Sequence, residues 1–265
     1  MRQKAAKIII GTVVLILIFT GHSFTAMAEE AAKSGITAPW SISLGVLGTY
    51  GPVYEGSDDD DAMVFPLIDV RWRNRVFFNT RRGLGVNLIS EKHVTAGAAV
   101  GYRFGRDEND SDHLRGLGDI DGGATVTAFV DGRFGNVSVG CSIEEQVTGA
   151  DAGARVTVNG GYTVSVTERF LVTPSLSVTG ADSDYADHYF GISASQSAAS
   201  GLPRYHAHAG ITSFGSHVRA VYRLTDNWSI QAGVGASWLV GDAADSPVVT
   251  DTGQVRLSGG VAYRF

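Results

Sequence analysis

The stretch QVRLSGGVAYRF, Gln254 to Phe265, decides how the rest of the chain is read. Successive side chains on a strand point to opposite faces, which puts Val255, Leu257, Gly259, Val261, Tyr263 and Phe265 on one side. Gln254, Arg256, Ser258, Gly260, Ala262 and Arg264 take the other. An apolar face tipped with aromatics therefore stands opposite one that is small or cationic. A half-buried strand of a water-soluble sheet can alternate in the same way, so the question is what the apolar face touches.

The same alternation recurs upstream in segments of about ten residues, the length of a tilted strand across a bilayer. Trp40, Ile42, Leu44, Val46 and Tyr50 share a face against Ser41, Ser43, Gly45 and Thr49. Val94 to Phe104, Val137 to Ile143, Val156 to Val166 and Trp228 to Val240 repeat it, with Thr, Gly, Ser, Asn, Arg and Glu on the second face. That second face is too polar for the core of a sandwich, where each sheet needs one apolar face against the other. A closed barrel in lipid inverts the rule, apolar outside and polar inside, with aromatics at both interfaces. The expected fold is therefore all-β, an antiparallel transmembrane β-barrel of the outer-membrane type. On this reading the face from Val255 to Phe265 lies against lipid.

Connection lengths give a second test. Short joints fall at Arg73-Asn74, Ser90-Glu91-Lys92, Gly135-Asn136, Thr167-Glu168-Arg169 and Thr225-Asp226-Asn227. They alternate with joints near 51–61, 81–82, 106–118, 148–152, 181–211 and 241–252, most of them longer. Short periplasmic turns alternating with longer extracellular loops are the outer-membrane barrel pattern. Five turns and six loops join twelve strands with both ends periplasmic. The segment 75–89 is the weak point, because two short strands there could be one kinked strand, which would make the count ten.

The chain opens with Met-Arg-Gln-Lys-Ala-Ala-Lys, continues through the apolar run Ile8 to Thr20 and reaches Ala26-Met27-Ala28. A positive start, a short apolar run and a small-x-small site describe a secretory signal peptide over 1–28. The alternative, a membrane anchor, wants roughly 20 apolar residues. Residues 29–39 read as a polar periplasmic leader and 40–265 as the barrel. Three of the 21 basic residues lie in the signal segment, leaving 18 against 27 acidic ones. That balance argues against nucleic-acid binding. A single cysteine, Cys141, forms no internal disulfide, and 34 glycines against six prolines is not a helical composition.

Several stretches together resemble the MipA/OmpV family of outer-membrane proteins, the MltA-interacting protein family. They are Pro52-Val53-Tyr54-Glu55-Gly56-Ser57-Asp58-Asp59, Leu114-Arg115-Gly116-Leu117-Gly118-Asp119-Ile120, Tyr189-Phe190-Gly191-Ile192-Ser193 with Ser200-Gly201-Leu202, Gly241-Asp242-Ala243-Ala244-Asp245-Ser246-Pro247, and the closing Tyr263-Arg264-Phe265. They occur in the family's order over nearly the whole chain. Tyr185 departs from the pattern, which has Trp there. The resemblance implies residence in the outer membrane and a non-enzymatic scaffold that links a periplasmic murein transglycosylase to a penicillin-binding protein. Relatives that resemble adhesins or antigens leave that role open. The family supplies no catalytic residues and no cofactor.

Other constellations carry weaker chemistry. Asp58, Asp59, Asp60 and Asp61 form an acidic run that reads as a solvated extracellular loop, or as a divalent-cation bridge to lipopolysaccharide among the surrounding outer-membrane lipids. His206 and His208 stand at i and i+2 and could share a metal, although no third ligand is identifiable nearby. Ser216 and His217 evoke lipid hydrolases, but adjacent strand residues face opposite ways, which argues against an enzyme. The inward face carries Arg71, Arg103, Arg133, Arg155, Arg219, Arg223, Arg256 and Arg264 against Asp69, Asp131 and Glu144. Such a lumen is either plugged by internal salt bridges or a narrow anion-preferring channel. Arg71, Arg73, Arg75, Arg133, Arg169, Arg223 and Arg264 fall at the periplasmic ends of strands or in the turns between them. They form a basic rim that could dock an acidic partner.

Overall fold

The computed structural model describes residues 39–149 and 153–265. The signal peptide and nearly all of the expected leader lie outside the described residues. Twelve strands close into one antiparallel barrel: β1 Trp40–Pro52, β2 Asp60–Trp72, β3 Val76–Asn79, β4 Gly83–Ser90, β5 Val94–Arg103 and β6 Gly123–Phe134 come first. They are followed by β7 Val137–Gln146, β8, β9 Phe170–Ala181, β10 Gly210–Arg223, β11 Trp228–Leu239 and β12 Gly253–Arg264. β8 runs as Ala154–Tyr162 and Val164–Thr167, interrupted at Thr163, and both halves pair with β9. Each strand pairs with its sequence neighbours, and β12 closes on β1 with Ser43 opposite Arg264 and Tyr50 opposite Leu257. Phe265 adds the last rung, its amide donating to the Ile42 carbonyl at 3.0 Å.

Burial follows the inverted rule. Leu44, Val46, Val100, Val130, Ile143, Val158, Val234 and Leu257 are exposed, whereas Ser43, Thr49, Thr125, Ser138, Ser175, Ser177 and Ser229 are buried. Aromatic pairs mark the interface at the turn end: Trp40 with Trp72 at 6.5 Å, Trp228 with Tyr263 at 5.0 Å, and Tyr263 with Phe265 at 4.8 Å between ring centroids. Tyr102 with Phe104, at 5.3 Å, marks the other interface.

The 75–89 segment is two strands, but β3 is only four residues long. Among the described strands, β2 above Asp69 therefore pairs with β1 alone. Pro66 lies on that edge, where its carbonyl accepts from the Thr80 hydroxyl at 2.8 Å and its missing N–H costs no ladder bond. At the turn after β2, Arg73 and Asn74 both take left-handed backbone, φ 49° and 53°, the two positive values that a type I′ hairpin needs.

The loops do not splay outward. Two helices, α1 Ser183–Phe190 and α2 Ala194–Ser200, lie in the longest one. The Asp182 side chain caps α1 by accepting from the Tyr185 amide, and its other oxygen accepts from the Ala154 amide at 2.8 Å. One carboxylate thus ties the helix to β8. Ile120, Tyr185, Ala186, Tyr189, Phe190, Ala207, Leu239 and Ala243 pack as one apolar cluster, and Val53, Tyr54, Leu114, Leu117, Ile192 and Val248 as a second. Leu114 and Val248 are 0 % exposed. The two larger apolar clusters sit in this cap, and a smaller one, Phe77, Ala99 and Phe129, lies among the strands.

Candidate functional site

Two features stand out: the capped, arginine-lined lumen and the basic rim at the opposite end. The cap is stitched by polar contacts between loops far apart in sequence. Tyr54 donates its hydroxyl to the Val248 carbonyl at 3.1 Å, Gln196 its amide to the Leu117 carbonyl at 2.7 Å, and Ser246 its hydroxyl to the Phe190 carbonyl at 2.5 Å. Four of the five family-like stretches quoted from the sequence meet here. Read along the chain they are separate motifs; in space they are one structure.

Beneath the cap, each predicted inward acid is paired with arginine. Asp69 accepts from Arg71 at 2.8 and 3.0 Å. Glu144 binds Arg103 at 2.7 Å and Arg155 at 3.2 Å through one oxygen. Asp131 binds Arg82 at 2.7 and 3.1 Å, and the Arg82 guanidinium carbon stacks 4.0 Å from the Phe129 ring centroid. The sequence reading assigned residues 81–82 to a loop; the short β3 brings that turn against the wall, so Arg82 joins the lumen.

Sequence reading also missed Glu55. It comes from the first loop, its carboxylate enclosed against the Tyr185 hydroxyl. Burial pushes its carboxyl above the ordinary range, while Arg155 and Arg256 pull it down. Burial likewise raises the Tyr185 and Tyr189 hydroxyls and lowers Arg106 and His188. The available signal was an acid set between apolar and glycine residues in PVYEGS, where a solvated loop would have little use for Val53 and Tyr54.

The remaining candidates separate. His206 faces Asp187 at 3.3 Å and His208 faces Asp242 at 2.8 Å, so the two histidines meet different carboxylates. The Asp242 carboxyl is held below its ordinary value by the His208 hydrogen bond. In the acidic run, Asp60 and Asp61 begin β2, Asp59 accepts from the Ser111 hydroxyl at 2.7 Å and the Asp58 amide donates to the Thr250 hydroxyl at 2.9 Å. Ser216 and His217 occupy consecutive positions on β10, and so opposite faces. At the rim, Arg73, Arg75 and Arg169 are exposed, with Arg73 5.2 Å from the Trp72 ring centroid. Arg71 lies inside with Asp69. The Arg223 guanidinium donates to the Glu168 carbonyl, the Arg133 amide to the His93 carbonyl at 2.8 Å, and the Arg264 amide to the Asn227 carbonyl at 2.9 Å.

Comparison with known proteins agrees with this geometry. The family described as "MltA-interacting protein MipA" matches residues 44–265. The outer membrane protein YiaT of Escherichia coli (strain K12) is 33% identical over 97 residues, 37% of this chain and 39% of that one. The MltA-interacting protein of the same organism is 28% identical over 107 residues, 40% of each chain. Each of these matches spans about two fifths of the relative's length. An outer membrane channel of Pseudomonas putida F1 resembles the barrel with a TM-score of 0.46 at 11% identity, covering 87% of this chain and 97% of that one. A twelve-stranded barrel with an apolar outer face, matched to one family over all but the first of its strands' opening residues, belongs to the MipA family of outer-membrane proteins.

Proposed function

We propose that the barrel is a non-enzymatic scaffold that holds murein-hydrolysing and murein-synthesising proteins at the outer membrane, docking them on the basic rim. The observation that carries this reading is the separation of charge between the two ends. Arg73, Arg75, Lys92 and Arg169 stand exposed in the turns, beside the acids Glu91, Glu168 and Asp226. Asp58 to Asp61, Asp107, Glu108, Asp110, Asp112, Asp182, Asp184, Asp187, Asp242 and Asp245 crowd the loops. Short turns face the periplasm by the general rule for these barrels, so the basic end meets periplasmic partners. Fixed charge of this kind steers an acidic protein, or anionic murein, toward one mouth and away from the other. The name of the E. coli relative, MltA-interacting protein, supports a periplasmic murein transglycosylase as the partner class, and the family resemblance adds a penicillin-binding protein as the further member.

The test is the triple variant Arg73→Gln, Arg75→Gln, Arg169→Gln. It should fold and keep heat-modifiable migration on unboiled gels. Its capture of the transglycosylase should fall about tenfold at low salt, where exposed charges are least screened, and converge with the parent at high salt. Equal capture with an unchanged salt dependence would remove the rim from the proposal and move docking to the segment 29–39. An anion-preferring channel is the second reading, and the arginine-rich lumen favours it.

A further inference from the structure

The polar groups under the cap converge from separate parts of the chain. Arg103 ends β5, Arg155 is near the start of β8 and Arg256 near the start of β12, which places all three at the loop end of the lumen. Arg103 donates to Oε1 of Glu144 from Nη2 at 2.7 Å and from Nε at 3.2 Å, and Arg155 donates to the same oxygen at 3.2 Å. Both guanidinium carbons lie near the Tyr185 ring, 5.1 and 5.9 Å from its centroid. Tyr185 and Tyr189 stack at 4.5 Å. Glu55 reaches the same cluster from the first loop, within the field of Arg155, Arg256 and Arg103.

Donors outnumber acceptors here. Each guanidinium carries five N–H groups, yet one carboxylate oxygen is the hydrogen-bond acceptor that Arg103 and Arg155 share. The Tyr185 hydroxyl is set against Glu55 and the Tyr189 hydroxyl against Arg103, yet all three side chains, Arg103, Tyr185 and Tyr189, hold enclosed polar atoms short of a full set of well-formed hydrogen bonds, although buried polar groups are nearly always satisfied. Tyr185 is 1% exposed and Arg103 6%. Solvent still reaches the cluster from the lumen, because the inward-facing side chains of Glu144 and Arg155 are 26% and 14% exposed.

We propose that this cluster is a binding site for a small oxyanion, the carboxylate or phosphate group of a periplasmic or outer-leaflet solute. Carboxylate and phosphate each present paired acceptor oxygens that match the fork of a guanidinium. Arg103 and Arg155 hold its oxygens on one side, and the Tyr185 and Tyr189 hydroxyls donate to those remaining. Glu55 stands as the internal carboxylate that the ligand must share the arginines with. The site is remote in sequence and in position from Arg73, Arg75 and Arg169, so it can fail while the scaffold reading stands, and the reverse.

The experiment is calorimetric titration of the full chain, folded in nanodiscs, with inorganic phosphate in one arm and glucuronate in the other. The expected result is saturable one-site binding of at least one probe, with the better probe distinguishing phosphate from carboxylate recognition. Arg103→Gln with Arg155→Gln should weaken it at least tenfold, and Glu55→Gln should keep or tighten it. Should the double arginine variant fail to fold, Tyr185→Phe with Tyr189→Phe removes only the two hydroxyls and should weaken binding about threefold. Absence of saturable binding of both probes to the folded parent overturns the proposal. So does unchanged affinity in the cluster variants, or an equal loss in the rim triple variant, which would mean surface adsorption.

Discussion

Glu55 illustrates how a single residue can couple the cap to pH. Its carboxyl lies above the ordinary value because burial outweighs the pull of Arg155 and Arg256. A raised value means that the folded cap binds the proton more tightly than the unfolded loop does. The stability this contributes is therefore complete below the ordinary carboxylate value and is lost as pH rises through the folded one. Limited proteolysis of the outer loops should accordingly quicken as pH climbs through that window. Glu55→Gln should flatten the profile, since the amide cannot titrate. A variant with the parent's pH profile would assign the dependence to another group. The pairing of Arg82 with Asp131 belongs to the same scale: two residues 49 apart in sequence meet because the β3–β4 turn stops partway up the wall.

For the strands, the governing fact is the medium outside them. Each backbone N–H and C=O within the hydrocarbon must be satisfied by a neighbouring strand, and each outward side chain must be apolar. Val130 on β6 is 51% exposed and lies opposite Cys141 on β7. Val130→Arg should destabilise the barrel by about 2–4 kcal/mol if the residue lies at the bilayer midplane, read as a shift in urea unfolding from lipid vesicles. A shift below about 1 kcal/mol would put Val130 at the interface instead. The turn after β2 shows a comparable local logic. Arg73 accepts a left-handed backbone that most residues avoid, and the exposed guanidinium is thereby presented beside Trp72.

Considered whole, the molecule is a barrel with one end closed by a hydrophobic core and the other rimmed with arginine. Closure predicts silence: planar bilayers holding the parent should show no steady current. Leu114→Ala with Val248→Ala truncates two fully enclosed side chains in the cap, the leucine change alone costing about 2–5 kcal/mol. That variant should conduct, with anion preference from the arginine-lined lumen. Steady currents of equal size in the parent would mean that the cap does not seal, and would favour the channel reading over the scaffold.

What the sequence by itself determined is what repeats locally. A lipid face of period two needs only neighbouring residues to be visible, which is why Val255 to Phe265 already specifies a strand with its apolar side outward. Turn and loop lengths are equally local and give twelve strands with ten as the alternative, which the structure settles by resolving 75–89 as two strands; the inward face of the alternation gives the arginine-rich lumen. The composition of the rim, Arg73, Arg75 and Arg169 in short joints, is legible for the same reason. The tertiary structure alone decided the cap and the cluster beneath it. Tyr54 and Val248 meet across 194 residues, and nothing periodic in either loop announces the other. It also decided which acid each histidine faces and that Glu55 turns toward the arginines while Asp58 to Asp61 remain exposed. The physical reason is that a strand's environment is set by the membrane, which is the same for every strand, whereas a loop's environment is set by other loops, which only closure of the barrel brings together.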